Sequence, residues 1–277
     1  MVTEEPTVDD CPQTNGIPML GLGTWKNAEP ETCAQSVTDA LEMGYRHIDT
    51  AQAYSNEQAV GTGIAKASVD REEVFVATKV WIDNLAYDDV LETTDESLQR
   101  LGLDSVDLLY VHWPARSYDP ESTLAAFNEL YDQGSVDHIG VSNFEPDQLR
   151  EAVDISEAPI VANQIECHPL FKQPELREVA ADLDIPLVAY SPLARGDVFD
   201  VPEIKEIAGS HGVSPAAVSL AWLRQRGLVA IPKATSTAHI ADNWQSLSLT
   251  LRDDELARID AIDDAGRCVD PDFGPWN

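Results

Sequence analysis

Lysine is scarce in this chain of 277 residues: Lys26, Lys66, Lys79, Lys172, Lys205 and Lys233 are the whole set. Basic residues of both kinds total 18 against 49 acidic ones, a formal charge of −31. Nucleic acids and anionic membranes are gripped by clustered Lys and Arg, so neither is an expected partner. Cysteine is sparse as well. Cys11, Cys33, Cys167 and Cys268 are dispersed with no CxxC pair, which suits a reducing compartment and excludes a disulfide framework. The opening stretch MVTEEPTVDD is acidic and has no apolar run, so no signal peptide is expected, and no segment approaches the ~20 apolar residues of a membrane span. The expected location is cytoplasmic. The acid excess runs along the whole chain rather than in one tail. Like charges at this density weaken a compact state unless salt screens them, and the composition reads as that of a halophilic protein.

A dinucleotide-binding glycine fingerprint is also missing. Gly21-Leu22-Gly23 and Gly61-Thr62-Gly63 each begin a G-x-G, but Lys26 and Lys66 stand where the third glycine belongs. This argues against a doubly wound sheet. What the chain does have is alternation. Short apolar runs (YRHID, VFVATK, VDLLYVH, HIGVSN, VANQIE, PLVAYS, GLVAIPK) are separated by amphipathic segments such as DDVLETTDESLQRLG and PAAVSLAWLRQRG. Seven strands, with a weak eighth near 244–248 and a last helix over 253–263, predict an α/β protein folded as a (β/α)8 TIM barrel. Asn15-Gly16 predicts a β-hairpin ahead of the barrel. No linker or composition shift divides residues 1–277, so one barrel domain is expected.

Catalytic groups in such a barrel sit at the C-terminal ends of the strands. Those ends carry Asp49 with Tyr54 just beyond it, then Lys79, then His112. A free phenol, with a pKa near 10, exchanges protons poorly at neutral pH. An ammonium beside it favours the phenolate, a carboxylate holds that ammonium, and a histidine can orient a carbonyl oxygen towards the phenol. Singly, each residue has a plain structural explanation: a turn cap, a solvated loop lysine, a satisfied core histidine, a packed aromatic. Together at three successive strand ends they describe a general acid for an oxygen that becomes an alkoxide.

The segments GYRHIDTAQAYSNE, VATKVW, DLLYVHWP, GVSNF, NQIECHP, AYSPLARG and IPKATSTAHIADN resemble, in order and spacing, the signature segments of the aldo-keto reductases. The resemblance runs from about Gly16 to Pro271 and is of the compact microbial type, similar to diketogluconate and aldehyde reductases. It implies hydride transfer between a nicotinamide cofactor and a carbonyl. Tyr54 would be the general acid, Lys79 would lower its pKa, Asp49 would pair with Lys79, and His112 would orient the carbonyl. Ser142, Asn143 and Gln164 would hold the nicotinamide carboxamide, with Tyr190 stacked on the ring. Ser191, Leu193 and Lys233 would follow the pyrophosphate and the adenosine end. Ser236, His239 and Asn243 would line the adenine ribose. Trp25, Trp81 and Trp113 would surround the substrate carbonyl, and Trp276 stands near enough to the terminus to cover it.

One departure bears on the cofactor. Relatives that prefer the phosphorylated form carry a serine after this lysine and an arginine at the position of His239; here the serine position is Ala234. A guanidinium forks onto phosphate and is always charged, whereas histidine is only partly protonated at neutral pH. NADPH is expected to be favoured through Lys233, with NADH possible. The short WPARSYDPES and GRCVDPDFGPWN segments suggest an open pocket. Glu166, Cys167 and His168 are contiguous, but neighbours on a strand face opposite ways, so no metal is expected. The expected partner is a small carbonyl substrate, and the expected state a monomer. The alternative is a non-catalytic, cofactor-binding regulatory subunit of the same fold; a sugar-phosphate isomerase would need glycine-rich phosphate loops that IPKATS lacks.

Overall fold

The computed structural model describes residues 6–277. Residues 1–5, part of the acidic opening stretch, lie outside the described residues. Gln13–Thr14 (β1) and Ile17–Pro18 (β2) form the hairpin expected at Asn15-Gly16, both of whose turn residues have positive φ (47° and 78°). Then come eight parallel strands: Leu22–Gly23 (β3), His47–Asp49 (β4), Phe75–Val80 (β5), Leu108–Val111 (β6), Ile139–Ser142 (β7), Ile160–Glu166 (β8), Leu187–Tyr190 (β9) and Val229–Ala230 (β10). Their spatial order is their chain order. The ends meet through parallel bridges Leu20–Ala230 and Gly23–Lys233, which close the sheet into a barrel. At that seam a Cβ on Gly23 would lie 2.6 Å from the Ile231 carbonyl oxygen, so only glycine permits the approach.

This corrects the expected strand set. Residues 244–248 are not a strand: they finish a helix, Thr237–Gln245, and a 3-10 turn, Ser246–Ser248. Trp244 packs on Tyr45, ring centroids 4.7 Å apart, and donates its indole N–H to the Pro6 carbonyl. The missing strand is β3, at the other end of the chain. Every strand-end residue therefore belongs to a strand one place later in the barrel than its sequence order suggests. The last helix, Asp253–Asp260, is shorter than expected.

Strand side chains alternate between two cores. One face of each strand, with the surrounding helices, builds the larger core: Ile48, Val76, Val80, Leu109, Val111, Ile165 and Ala189 belong to it. The other face fills the barrel interior with Ala77, Leu108, Tyr110, Ala162, Val188 and Val229, joined by Ile17 and Met19 of the hairpin. The hairpin closes the N-terminal mouth, where the Pro18 carbonyl meets His47 Nδ1 at 3.2 Å. Gly140 makes room for Tyr110, whose ring would lie 2.8 Å from an added Cβ. The polar ends follow from the same two-residue period. Carried to the C-terminal mouth, the inward parity of Ala77 gives Lys79, that of Tyr110 gives His112, that of Ala162 gives Gln164 and Glu166, and that of Val188 gives Tyr190. No helix among the described residues is long and apolar enough to cross a membrane.

Candidate active site

Lys79 is fully buried, and its ammonium has three oxygen neighbours: Asp49 Oδ1 at 2.5 Å, the Thr50 carbonyl at 2.8 Å and Tyr54 Oη at 3.4 Å. Asp49 ends β4 and Lys79 lies in β5. Tyr54 closes a 3-10 turn, Gln52–Tyr54, directed over the barrel mouth. The second Asp49 oxygen accepts from Gln164 Nε2 at 2.7 Å, which ties the ion pair to β8. His112 packs edge-on to Tyr54, ring centroids 5.8 Å apart. The four expected catalytic residues are thus brought together.

Burial sets their protonation. It lowers the Lys79 pKa, with the charge of Asp49 and the hydrogen bond to it opposing. Burial and then the Lys79 charge hold His112 well below its ordinary value, so it is neutral at neutral pH. Burial, then the charge of Asp49, raise the Tyr54 phenol well above its ordinary value. The free protein therefore holds Tyr54 as a protonated donor.

Beside the ion pair lies a second polar cluster. Asn143 follows β7 in the left-handed region (φ 63°), which asparagine tolerates. Its Nδ2 donates to the His112 carbonyl and to Ser142 Oγ, both at 3.0 Å, and its Oδ1 accepts from Tyr190 Oη at 2.7 Å. Ser142 Oγ donates to the Gln164 carbonyl at 2.9 Å. Ser142, Asn143, Gln164 and Tyr190 are thus one network joined to Asp49.

Above them opens a cavity of about 780 Å³. Of the expected residues, Asp49, Tyr54, His112, Gln164, Tyr190, Ser191, Leu193, Lys233, Trp25, Trp81 and Trp113 line it. Lys79, Ser142 and Asn143 lie behind the wall. Ser236, His239 and Asn243 are not on the wall. Ser236 Oγ caps the Thr237–Gln245 helix by accepting from the His239 amide, both residues are exposed, and Asn243 is buried.

Sequence reasoning missed several wall residues. Lys26 and Arg195 flank Trp25, with their charges 4.4 and 5.0 Å from its ring. Lys26, Arg195 and Lys233 line this cavity without a carboxylate partner among the described residues, in a chain where acids outnumber bases. The short C-terminal tail is not remote either: Val269, Pro271 and Phe273 are wall residues. Phe273 meets Trp81 and Trp113 edge-on at 6.0 and 5.4 Å, and Trp276 lies 5.5 Å from Trp113. The aromatic wall was readable from the tryptophans; its fourth member arrives from the far end of the chain and left no local signal.

The residues fit a nicotinamide dinucleotide. Three cations without carboxylate partners suit its phosphates, and the half-buried Tyr190 ring, held by Asn143, offers a flat face beside the ion pair. Comparison with known proteins agrees. The "Aldo/keto reductase family" model matches residues 19–264. An aldo-keto reductase of Mycolicibacterium smegmatis is 41% identical over 268 residues, 95% of each chain. The methylglyoxal reductase of Escherichia coli is 39% identical over 274 residues, 97% of this chain and 98% of that one. The crystal structure of a Bombyx mori aldo-keto reductase in complex with NADP superimposes with a TM-score of 0.87 at 35% identity, covering 94% of both chains. The chain belongs to the aldo/keto reductase family of oxidoreductases.

Proposed function

We propose that this protein reduces an aldehyde or ketone to the alcohol with NADPH, and that Tyr54 gives its phenolic proton to the carbonyl oxygen. The observation that carries this reading is the Tyr54 hydroxyl, kept protonated by burial, with the Lys79 ammonium 3.4 Å away, at the floor of an aromatic cavity. The cofactor supplies the hydride; the chain supplies position and charge. As the proton leaves Tyr54, the phenolate forms beside Lys79, which stabilises it. His112, neutral and buried, turns the carbonyl oxygen towards the phenol. Gln164 and Tyr190 would hold one face of the nicotinamide towards the carbonyl carbon, with Ser142 and Asn143 behind the wall keeping both in place. Ser191, Leu193 and Lys233, with Lys26 and Arg195, line the cavity where they would border the phosphates. Ser236, His239 and Asn243 stand for the adenosine end, and Trp25, Trp81 and Trp113 for the substrate.

The test follows NADPH absorbance at molar potassium chloride with a panel of aldehydes and ketones, methylglyoxal among them. Turnover supports a carbonyl reductase. Tight cofactor binding with no turnover on any carbonyl would instead mark a non-catalytic binding subunit.

Lys233 would give NADPH a cation for its 2′-phosphate, but His239 is not a guanidinium and Ala234 has no hydroxyl. The preference for NADPH over NADH in kcat/KM is therefore expected to be modest, roughly tenfold, which corresponds to one charge-assisted contact. A hundredfold advantage would show that Lys233 with Thr235 and Ser236 suffices. The charge of −31 carries a separate expectation. Raising potassium chloride from 0.1 to 2 M should raise Tm by roughly 10 °C as self-repulsion is screened. A Tm indifferent to salt would remove the halophilic reading and leave an ordinary acidic enzyme.

A further inference from the structure

Glu166 ends β8 with its side chain fully buried, one inward step past Gln164, and takes no part in the ion pair. Its oxygens are spent on another part of the chain. Oε1 accepts from the Cys268 amide at 2.7 Å and from His168 Nε2 at 3.1 Å, and Oε2 accepts from the Val269 amide at 3.0 Å. Burial works against the charge of this carboxylate, but these donors overcome it and hold the pKa below its ordinary value. Two consecutive amides of the C-terminal tail are thus fastened to a strand end a hundred residues earlier. Four residues beyond the fastening, Phe273 completes the aromatic wall against Trp81 and Trp113.

Other contacts keep the same tail on the same platform. The Ala265 amide donates to the Leu170 carbonyl at 2.8 Å, and Lys172 Nζ reaches Asp264 at 2.8 Å. Arg267 pairs with Glu145 at 2.8 Å and lies over the Trp276 ring, 3.3 Å from its centroid. A cation is a poor alternative occupant. Glu166, His168 and Cys268 do place ligand atoms within 4.8 Å of one another, but the carboxylate already serves two amides and an imidazole.

We propose that Glu166, oriented by His168, is a positioning residue for substrate specificity: its carboxylate latches the Cys268 and Val269 amides and so sets Phe273 as one wall of the substrate pocket. A bulky aromatic aldehyde needs that wall and a small one such as methylglyoxal does not, so the latch selects by size while leaving the proton donor untouched. The size selection rests on the proposed carbonyl reduction; the latch itself does not.

The test uses the full-length protein and Glu166→Gln, which keeps the size of the side chain but presents an amide N–H to one of the two backbone donors. Hydrogen exchange resolved by peptide should quicken at least about tenfold in 266–277 and stay unchanged in the barrel strands, as expected for one lost charge-assisted bond. KM for benzaldehyde should rise roughly tenfold with kcat within about twofold, methylglyoxal kinetics and the NADPH Kd staying near wild type. Phe273→Ala should give the same KM split with the tail still protected, so the proposal stays testable even where Glu166→Gln does not fold. Unchanged exchange in the tail, or faster exchange across the barrel as well, overturns the latch. Equal losses for both aldehydes in either variant overturn its role in specificity. The exchange readout needs no turnover, so absence of carbonyl reduction would leave it standing and count against the proposed function alone.

Discussion

Tyr54→Phe is expected to lower kcat for carbonyl reduction by roughly a thousandfold, the loss of a positioned general acid, while the NADPH Kd stays within about twofold of wild type because the ring and its packing remain. No neighbour can take over the proton. His112 is neutral, held well below its ordinary pKa by burial and by Lys79. The Lys79 ammonium is engaged by Asp49, Thr50 and Tyr54 and is fully buried. Asp49 is ion-paired and accepts from Gln164. Because burial raises the Tyr54 pKa, the wild-type phenol stays protonated as pH rises through neutrality, so reduction should show no alkaline fall there. A Tyr54→Phe protein retaining a tenth of wild-type kcat, or a reduction rate that drops as pH passes through neutrality, would assign the proton to another group.

Much of this site was legible because a strand has a period of two. In VATK, LLYVH, ANQIE and LVAY the apolar residue facing the barrel axis is followed, two places on, by the polar residue that reaches the mouth. Tyr54 was legible through the segment that joins it to Asp49. The eighth strand was not, for a physical reason. Leu22–Gly23 is two residues long and half glycine, so it lacks the β-branched and aromatic side chains that announce a strand. The apolar cluster around Trp244 and Leu247 looked like a better candidate, but a short apolar run does not tell a strand from the end of a buried helix. Charge can be read from a sequence and desolvation cannot: the Lys79 ammonium beside Tyr54 was visible, the depth of the phenol was not. Phe273 and the Glu166 latch share a third reason. Each depends on a segment returning from far along the chain, and no local pattern marks the point of return.

Lys79→Met should cost about 3–5 kcal/mol of stability, because removing one partner of a buried ion pair leaves the other charge uncompensated. The side chains of Lys79 and Asp49 are 0% and 2% exposed, so water cannot make good the loss. For a chain of this length that corresponds to a Tm lower by roughly 10 °C. Without the ammonium the Tyr54 phenolate forms next to the Asp49 carboxylate with nothing to balance it, so kcat should also fall by at least about a hundredfold. Adding Asp49→Asn separates the two effects. The double variant buries no unpaired charge, and its asparagine can still accept from Gln164, so most of the lost stability should return. Activity should not, since the ammonium is still missing. Stability that fails to recover would mean that Lys79 contributes chiefly through the packing of its aliphatic stem. Activity that recovered along with it would remove Lys79 from the chemistry and leave Tyr54 to deprotonate unaided.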